Sequence, residues 1–257
     1  MIEKLKSKKK TAVREYREEF KICSYDVDFA NRAKPLAILN YMQEAAGCHA
    51  ARLGVAVTDL MAKKLTWVLS RYHLKFFHFP GWGDWITVHT WPSAKQELFA
   101  LRDFELRDQE ENLVVRATSS WLLLNLETRR PAPLQTNLPH LIETGQRALP
   151  DDFQPLPTIE KPEIELPFRV RMADLDLNNH VNHTVYIQWA LESVPQEMLR
   201  RGRVTELEVA YRAEAFYGDT VLSRCQMVSD GKAPEFHHQL VKENGRELCR
   251  LVTRWEL

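Results

Sequence analysis

Apolar residues recur along this chain with two different periods, and the order of those periods repeats once. From Tyr16 to Asp28 the pattern reads as an extended strand, whereas from about Pro35 to Leu53 apolar positions fall three and four apart, at Leu36, Leu39, Met42, Ala45 and Ala46. Such spacing lines one face of an α-helix with apolar side chains. Pro35 suits the first helical turn and Gly54 the stop. Further on, Ile164 to Met172 again reads as extended. A second helix is predicted from about Asn182 to Val194, with Val185, Ile187, Trp189, Ala190, Leu191 and Val194 as its apolar positions and Pro195 ending it. Four strand-like stretches follow each helix. They are divided by turn signals at Gly81 to Asp84 and Glu110 to Asn112 in the first half, and at Tyr217 to Asp219 and Glu243 to Gly245 in the second. Turns this short demand antiparallel neighbours, because a parallel return needs a crossover of about a dozen residues.

Residue identities carry the same repeat. Tyr41, Gln43 and Ala45 match Tyr186, Gln188 and Ala190 at an offset of 145 (186 minus 41). Gly83-Asp84 matches Gly218-Asp219 at 135, and Arg116 and Trp121 match Arg250 and Trp255 at 134. Between the halves, Pro131 to Pro162 holds seven of the 13 prolines and little periodicity, the signature of a linker. The expected organisation is a basic tail over residues 1–15, a first domain over 16–130, a Pro-rich linker over 131–162 and a second domain over 163–257. A helix with an apolar stripe and a sheet with one face to bury pack as two layers. The chain therefore reads as α+β, a tandem or double hot-dog fold in which each half is a long helix wrapped by an antiparallel sheet.

With 257 residues, 44% of them apolar, the chain has material for a full core. Lys plus Arg equals Asp plus Glu at 35 each, so no long-range field pulls on nucleic acid and a charged partner must meet a local patch. Cys23, Cys48, Cys225 and Cys249 show no Cys-x-x-Cys spacing, which fits a reducing, cytoplasmic setting better than a disulfide framework or a zinc site. The lysines of the run Lys4 to Lys10 are followed by no apolar segment, and no stretch approaches the roughly 20 apolar residues that span a bilayer. No membrane association is expected.

Chemistry concentrates in one place. Serine-elbow, phosphate-loop and dinucleotide glycine motifs are absent from the sequence, but Asp174 to His183 packs seven polar or ionisable side chains into ten residues ahead of an apolar helix. Turns and N-caps favour Asn and Asp and account for several of these. A cap needs only one, and in a locally extended loop Asp176, Asn178 and His180 would project to the same side. An imidazole can shuttle a proton near neutral pH, and a carboxylate can orient it, activate water or attack directly. A carboxamide and the N–H groups opening a helix can hold an oxyanion. His180 and His183 also form a His-x-x-His pair, but that spacing is common by chance, and no metal is expected. At the offset of 145 the three residues fall on Asn31, Ala33 and Pro35, which implies one active site per chain, in the second half. Glu214 follows an alternation of Leu207, Val209, Tyr211 and Ala213 with Glu206, Glu208 and Arg212 that predicts a solvated strand face. Its counterpart at 135 is Phe79.

Several stretches together resemble the plant-type acyl-acyl carrier protein thioesterases, a family with bacterial members. They are Asn40 to Ala46, Leu65 to Arg71, Trp82-Gly83-Asp84, Thr128-Arg129-Arg130 and above all Asp174 to Pro195. The resemblance implies a double hot-dog enzyme that releases free fatty acid from acyl carrier protein in fatty acid biosynthesis without a cofactor. Catalytic roles would fall on Asp176, Asn178, His180 and Glu214. Many members carry a cysteine after that glutamate; Ala215 stands there in this chain, so a cysteine nucleophile at that position is closed. The same resemblance places the acyl chain largely in the first half, with Met42, Ala45, Ala46 and Trp67 as lining candidates. It offers Arg200, Arg201 and Arg203, or Arg129 and Arg130, as a landing patch for the acidic carrier. Hydrolysis of acyl-coenzyme A, dehydration of a hydroxyacyl thioester and a non-catalytic acyl-binding regulator are the alternatives, and a homodimer stays open.

Overall fold

The computed structural model describes residues 14–231 and 233–257, so the lysine run of the basic tail lies outside the described residues. All ten strands belong to one sheet. In the first half these are β1 (Tyr16–Lys21), β2 (Leu65–Phe76), β3 (Trp85–Lys95), β4 (Phe99–Asp108) and β5 (Leu113–Asn125). In the second they are β6 (Ile164–Arg169), β7 (Arg203–Tyr211), β8 (Thr220–Ser229), β9 (Glu235–Lys242) and β10 (Glu247–Glu256). Their order across the sheet is β1-β3-β4-β5-β2-β7-β10-β9-β8-β6, and each neighbouring pair is antiparallel. Each half thus repeats the order 1-3-4-5-2, and pairing of β2 with β7, from Arg71↔Ala210 to Lys75↔Glu206, fuses the halves edge to edge. One continuous sheet has no open edge at its centre, which is where two separate sheets would expose unpaired backbone.

Two long helices lie against this sheet and against each other: α1 (Pro35–Leu53) and, in the second half, α4 (His183–Glu192). Pro35 opens α1, and Gly54 ends it in the left-handed region at φ 72°, where a side chain is disfavoured. The buried stripe of α1 runs through Ile38, Leu39, Met42, Ala45, Ala46 and His49, while Leu36, expected in it, is only half-buried. Asn182 caps α4, its side chain accepting from Thr184 N at 3.0 Å. Three short helices add to the expected pair: α2 (Val57–Met61), α3 (Leu134–Asn137) and α5 (Gln196–Arg201), the last beginning just after Pro195.

The Pro-rich segment is fastened to the sheet rather than hanging between the halves. Thr144 and Gly145 donate backbone N–H groups to Pro92 and Ser93, and Ala148 N donates to Asp103 Oδ1 at 2.9 Å. Leu134 and Leu138 pack with Leu60, Leu65 and Leu123, and Leu156 packs with Ala210 and Val252. These leucines explain why a composition rich in proline still folds down: each offers about 1.5–3 kcal/mol on burial.

At the junction the segment also joins an ion network. His73 on β2 bonds Asp151 of the segment through Nδ1 at 2.7 Å and Glu206 on β7 through Nε2 at 2.6 Å. Lys75 and Arg254 pair with Glu206, and Arg254 also with Glu208 and Glu235. His73, Glu206 and Glu208 bring three potential metal-ligand atoms within 4.8 Å, but both carboxylates already hold protein cations, which marks an ion-pair cluster. Burial opposes the charged imidazole, yet its bonds to Asp151 and Glu206 outweigh that and lift the pKa from 6.5 to about 9. A base whose folded pKa is raised stabilises the fold fully below its unfolded value, and loses that stabilisation as pH climbs through the folded one. For Glu206, lowered from 4.5 to about 2, the contribution is present above 4.5 and lost as pH falls through 2. Melting temperature should therefore decline more steeply from pH 6.5 to 9.5 in the wild type than in His73→Gln, where the buried thiols of Cys225 and Cys249, whose pKa values burial raises, still cost stability at the alkaline end. The ceiling on the difference is about 3.5 kcal/mol, from a rise of about 2.5 units (9 minus 6.5) at 1.4 kcal/mol each. Parallel melting curves for the two proteins would contradict it.

Candidate active site

The loop before α4 is a tight turn and not the extended segment expected from its sequence. Asp176 N donates to His180 O at 2.8 Å and Asn179 N to Asp176 O at 3.0 Å, with Asn179 in the left-handed region at φ 62°. Inside the turn, Asp176 Oδ1 accepts from Asn178 N at 2.8 Å and from His180 N at 3.3 Å. Asp176 and His180 are brought together as the two ends of a turn, and the same-side alternation inferred for the three side chains does not apply. Leu177, Asn178 and Asn179 form its exposed tip.

Glu214 approaches from the other side. It lies beyond the end of β7, on the segment leading to the Phe216–Asp219 turn, and is not part of a strand face. Its neighbour Ala215 is fully buried, accepting from Val181 N at 3.1 Å and donating its own N–H to Tyr186 OH at 2.9 Å. Those two bonds tie the segment to the loop and to α4. They leave Glu214 Oε1 at 3.2 Å from His180 Nδ1, within reach of a hydrogen bond that often aligns only when substrate arrives. The ring of Phe216 meets the imidazole edge-on at 5.1 Å. Glu214 Oε2 accepts from Arg129 Nη2 at 3.0 Å, a residue of the first half.

His183 does not join His180. Its ring turns into the interior, stacked against Tyr72 at 6.4 Å and edge-on to Tyr211 at 6.1 Å. Burial pushes its pKa down to about 4, and among the described residues its Nε2 has no hydrogen-bond partner.

The corresponding loop of the first half is superposable in its bonding, at an offset of 148. Asp28 Oδ1 accepts from Ala30 N and Arg32 N, Asp28 N donates to Arg32 O, and Asn31 is left-handed at φ 57°. The offset of 145 taken from the helices is therefore three residues off: Asp176 corresponds to Asp28, Asn178 to Ala30 and His180 to Arg32. The aspartate is retained in both halves because it builds the turn. What differs is its second oxygen. Asp28 Oδ2 is taken by the Arg32 guanidinium at 2.9 Å, whereas Asp176 Oδ2 has no partner among the described residues. One loop carries a spent carboxylate; the other carries a carboxylate whose second oxygen has no described partner, in a turn that ends at the His180 imidazole paired with Glu214.

Met42 and Ala45 are wholly buried and Ala46 nearly so, all within the main core. Trp67 packs with a different cluster around Leu60 and Leu123, its Nε1 donating to Val55 O at 2.9 Å. Of the carrier-binding candidates, Arg201 pairs with Glu197 and Arg203 with Glu256, while Arg200 at the end of α5 is exposed. Arg129 and the His73 cluster were the groups whose partners the sequence left unnamed; each partner lies dozens of residues away.

A tandem hot-dog fold with a carboxylate, an imidazole and a carboxamide at the entrance of one helix has the groups that hydrolysis of a thioester requires. Two family models divide the chain between them: the acyl-ACP thioesterase N-terminal domain matches residues 13–142 and the C-terminal domain residues 158–257. The chain belongs to the acyl-ACP thioesterase family. Among relatives, the oleoyl-acyl carrier protein thioesterase 1 of Arabidopsis thaliana is 31% identical, over 93% of this chain and 75% of its own length. Among solved structures, the 12:0-ACP thioesterase of Umbellularia californica superposes with a TM-score of 0.87 at 27% identity, covering 95% of both chains. An acyl-ACP thioesterase of Bacteroides thetaiotaomicron gives a TM-score of 0.84 at 28% identity, covering 95% of this chain and 98% of that one.

Proposed function

We propose that this enzyme hydrolyses fatty acyl-acyl carrier protein thioesters, releasing the free fatty acid and the carrier thiol for fatty acid metabolism. The observation that carries the reading is the asymmetry between the two loops: the turn is built identically in both, yet only the second ends in an imidazole paired with a glutamate, His180 with Glu214, and only there is the aspartate's second oxygen without a partner among the described residues. With Nδ1 turned toward Glu214, the imidazole keeps Nε2 for the proton of an attacking water. Asp176 Oδ2 holds that water for attack on the carbonyl carbon. As the carbonyl oxygen becomes negative, the Asn178 carboxamide supplies a donor, worth about 3 kcal/mol in transition-state stabilisation, since Thr184 N and Val185 N of α4 are already bonded to Asn182. Collapse of the tetrahedral intermediate expels the thiolate, and the imidazolium returns its proton to it.

The acyl chain is proposed to lie in the first half beneath α1, near Met42, Ala45 and Ala46. The carrier is proposed to dock on a basic surface that includes Arg200, and the four free cysteines support a reducing compartment such as the cytoplasm. Turnover measured on one acyl chain presented by two carriers tests the substrate class. The carrier-protein thioester should show the higher kcat/KM, by about tenfold or more if docking contacts contribute even 1.4 kcal/mol. A preference for the coenzyme A thioester would overturn the carrier assignment and leave the hydrolase chemistry standing.

A further inference from the structure

We propose that Arg129, supplied by the first half, is a positioning residue for hydrolysis in the second: it fixes Glu214 so that Glu214 can hold His180. The proposal rests on the hydrolase reading above and extends it to a group that no motif of the second half contains.

The geometry is specific. Glu214 presents one oxygen to each neighbour, Oε1 to His180 Nδ1 at 3.2 Å and Oε2 to Arg129 Nη2 at 3.0 Å. With both oxygens engaged, rotation of the carboxylate breaks one contact or both, so the plane of the group is set by the arginine. A carboxylate that orients a catalytic imidazole depends on such outer partners in the same way that metal-bound histidines do.

Arg129 is placed by a built turn and not by a loose tail. At the end of β5, Asn125 Oδ1 accepts from Glu127 N at 3.0 Å and Thr128 N at 2.8 Å. Asn125 O accepts from Arg129 N at 2.8 Å, and Asn125 N donates to Arg130 O at 2.9 Å. Arg129 itself sits in the left-handed region at φ 57°, a conformation that costs a non-glycine residue and persists where the surroundings impose it. Lys64 braces the turn through Glu127 at 2.7 Å. The strained arginine ends this turn aimed across the junction, 85 residues from its partner in sequence.

Two competing roles make different demands. As a plain surface ion pair, with Arg129 56% and Glu214 34% exposed, it would contribute little to stability and nothing to rate. As part of a carrier landing patch it would act on KM for the carrier substrate alone.

Steady-state kinetics of Arg129→Gln and Arg129→Lys, on an acyl-carrier-protein thioester and on an acyl-N-acetylcysteamine thioester that has no carrier, separate these roles. Arg129→Gln should lower kcat by about tenfold or more on both substrates, with KM within about twofold, the pattern of an interaction that matters in the transition state. Arg129→Lys, which keeps the cation, should recover most of that loss, and both variants should melt with the wild type. An unchanged kcat on both substrates would overturn the proposal, as would a rise in KM confined to the carrier substrate. A wild-type enzyme that turns over neither thioester would instead overturn the hydrolase reading, so the two failures are distinguishable.

Discussion

Asp176→Asn is expected to fold as the wild type does and to lose roughly 10²–10³ of its hydrolytic rate. The two oxygens of the side chain do different work. Oδ1 accepts from Asn178 N and His180 N, and a carboxamide oxygen can accept the same bonds, so the turn survives the substitution. Oδ2 is the atom that Arg32 neutralises in the sister loop and that no described residue neutralises here; replacing it with an NH₂ group removes the acceptor that would meet water. Thermal melting beside kcat checks both parts. A folded Asp176→Asn enzyme with near-wild-type turnover would mean that Asp176 does only what Asp28 does, which is to shape a turn.

The second large effect is expected at His180. His180→Ala removes the proton carrier and should lower kcat by about 10³ with KM little changed, since general acid–base groups contribute about 10²–10⁴. Glu214→Gln keeps the size of the side chain but weakens its hold on Nδ1, and a loss of about tenfold or more is expected from it. Arg32, at the position equivalent to His180, is the internal control. Arg32→Ala breaks the ion pair with Asp28 yet should leave turnover within about twofold, because its loop carries no imidazole and no open carboxylate to lose. Stopped turnover in His180→Ala with full activity in Arg32→Ala places the reaction in the second loop; equal losses in both would spread it over the two halves.

Much of the architecture was legible because its signals are local. Pro35 and Gly54 bound α1 in sequence and in space, and the Glu110–Asn112 turn is closed by Asp108, whose Oδ1 accepts from Glu110 N and Asn112 N. The three-residue error in the offset has a physical origin. Residues three apart on a helix lie on nearly the same face, so Tyr41, Gln43 and Ala45 find look-alikes in α4 even when the helices are slipped by most of a turn. The loop bonds set the true offset of 148, while the later turns keep 135, and most of the difference of 13 residues (148 minus 135) sits in the longer α1 and β2 of the first half.

What the sequence left unread is mostly long-range. Nothing local says that β2 pairs with β7, so neither the His73 cluster nor the contact of Arg129 with Glu214 has a signature along the chain. Glu214 was legible as a residue but not as a position: alternation extended β7 through it, whereas the strand stops at Tyr211 and the buried Ala215 turns the chain toward the loop. The turn at Asp176 to His180 was underread for the opposite reason. Asn and Asp are favoured both in turns and in catalysis, and here one aspartate serves each purpose with a different oxygen.

The central claim is that water cleaves an acyl–sulfur bond at this one loop. Its most direct test is a product count: a saturated acyl-carrier-protein thioester is incubated with the wild type and with the Asp176→Asn/His180→Ala double variant, and carrier thiol and free fatty acid are quantified together. The account expects equal amounts of thiol and acid, accumulating over many turnovers with the wild type and at the uncatalysed rate with the double variant. Thiol and acid released equally fast by the double variant, or tight acyl binding by the wild type with no thiol released, would contradict it.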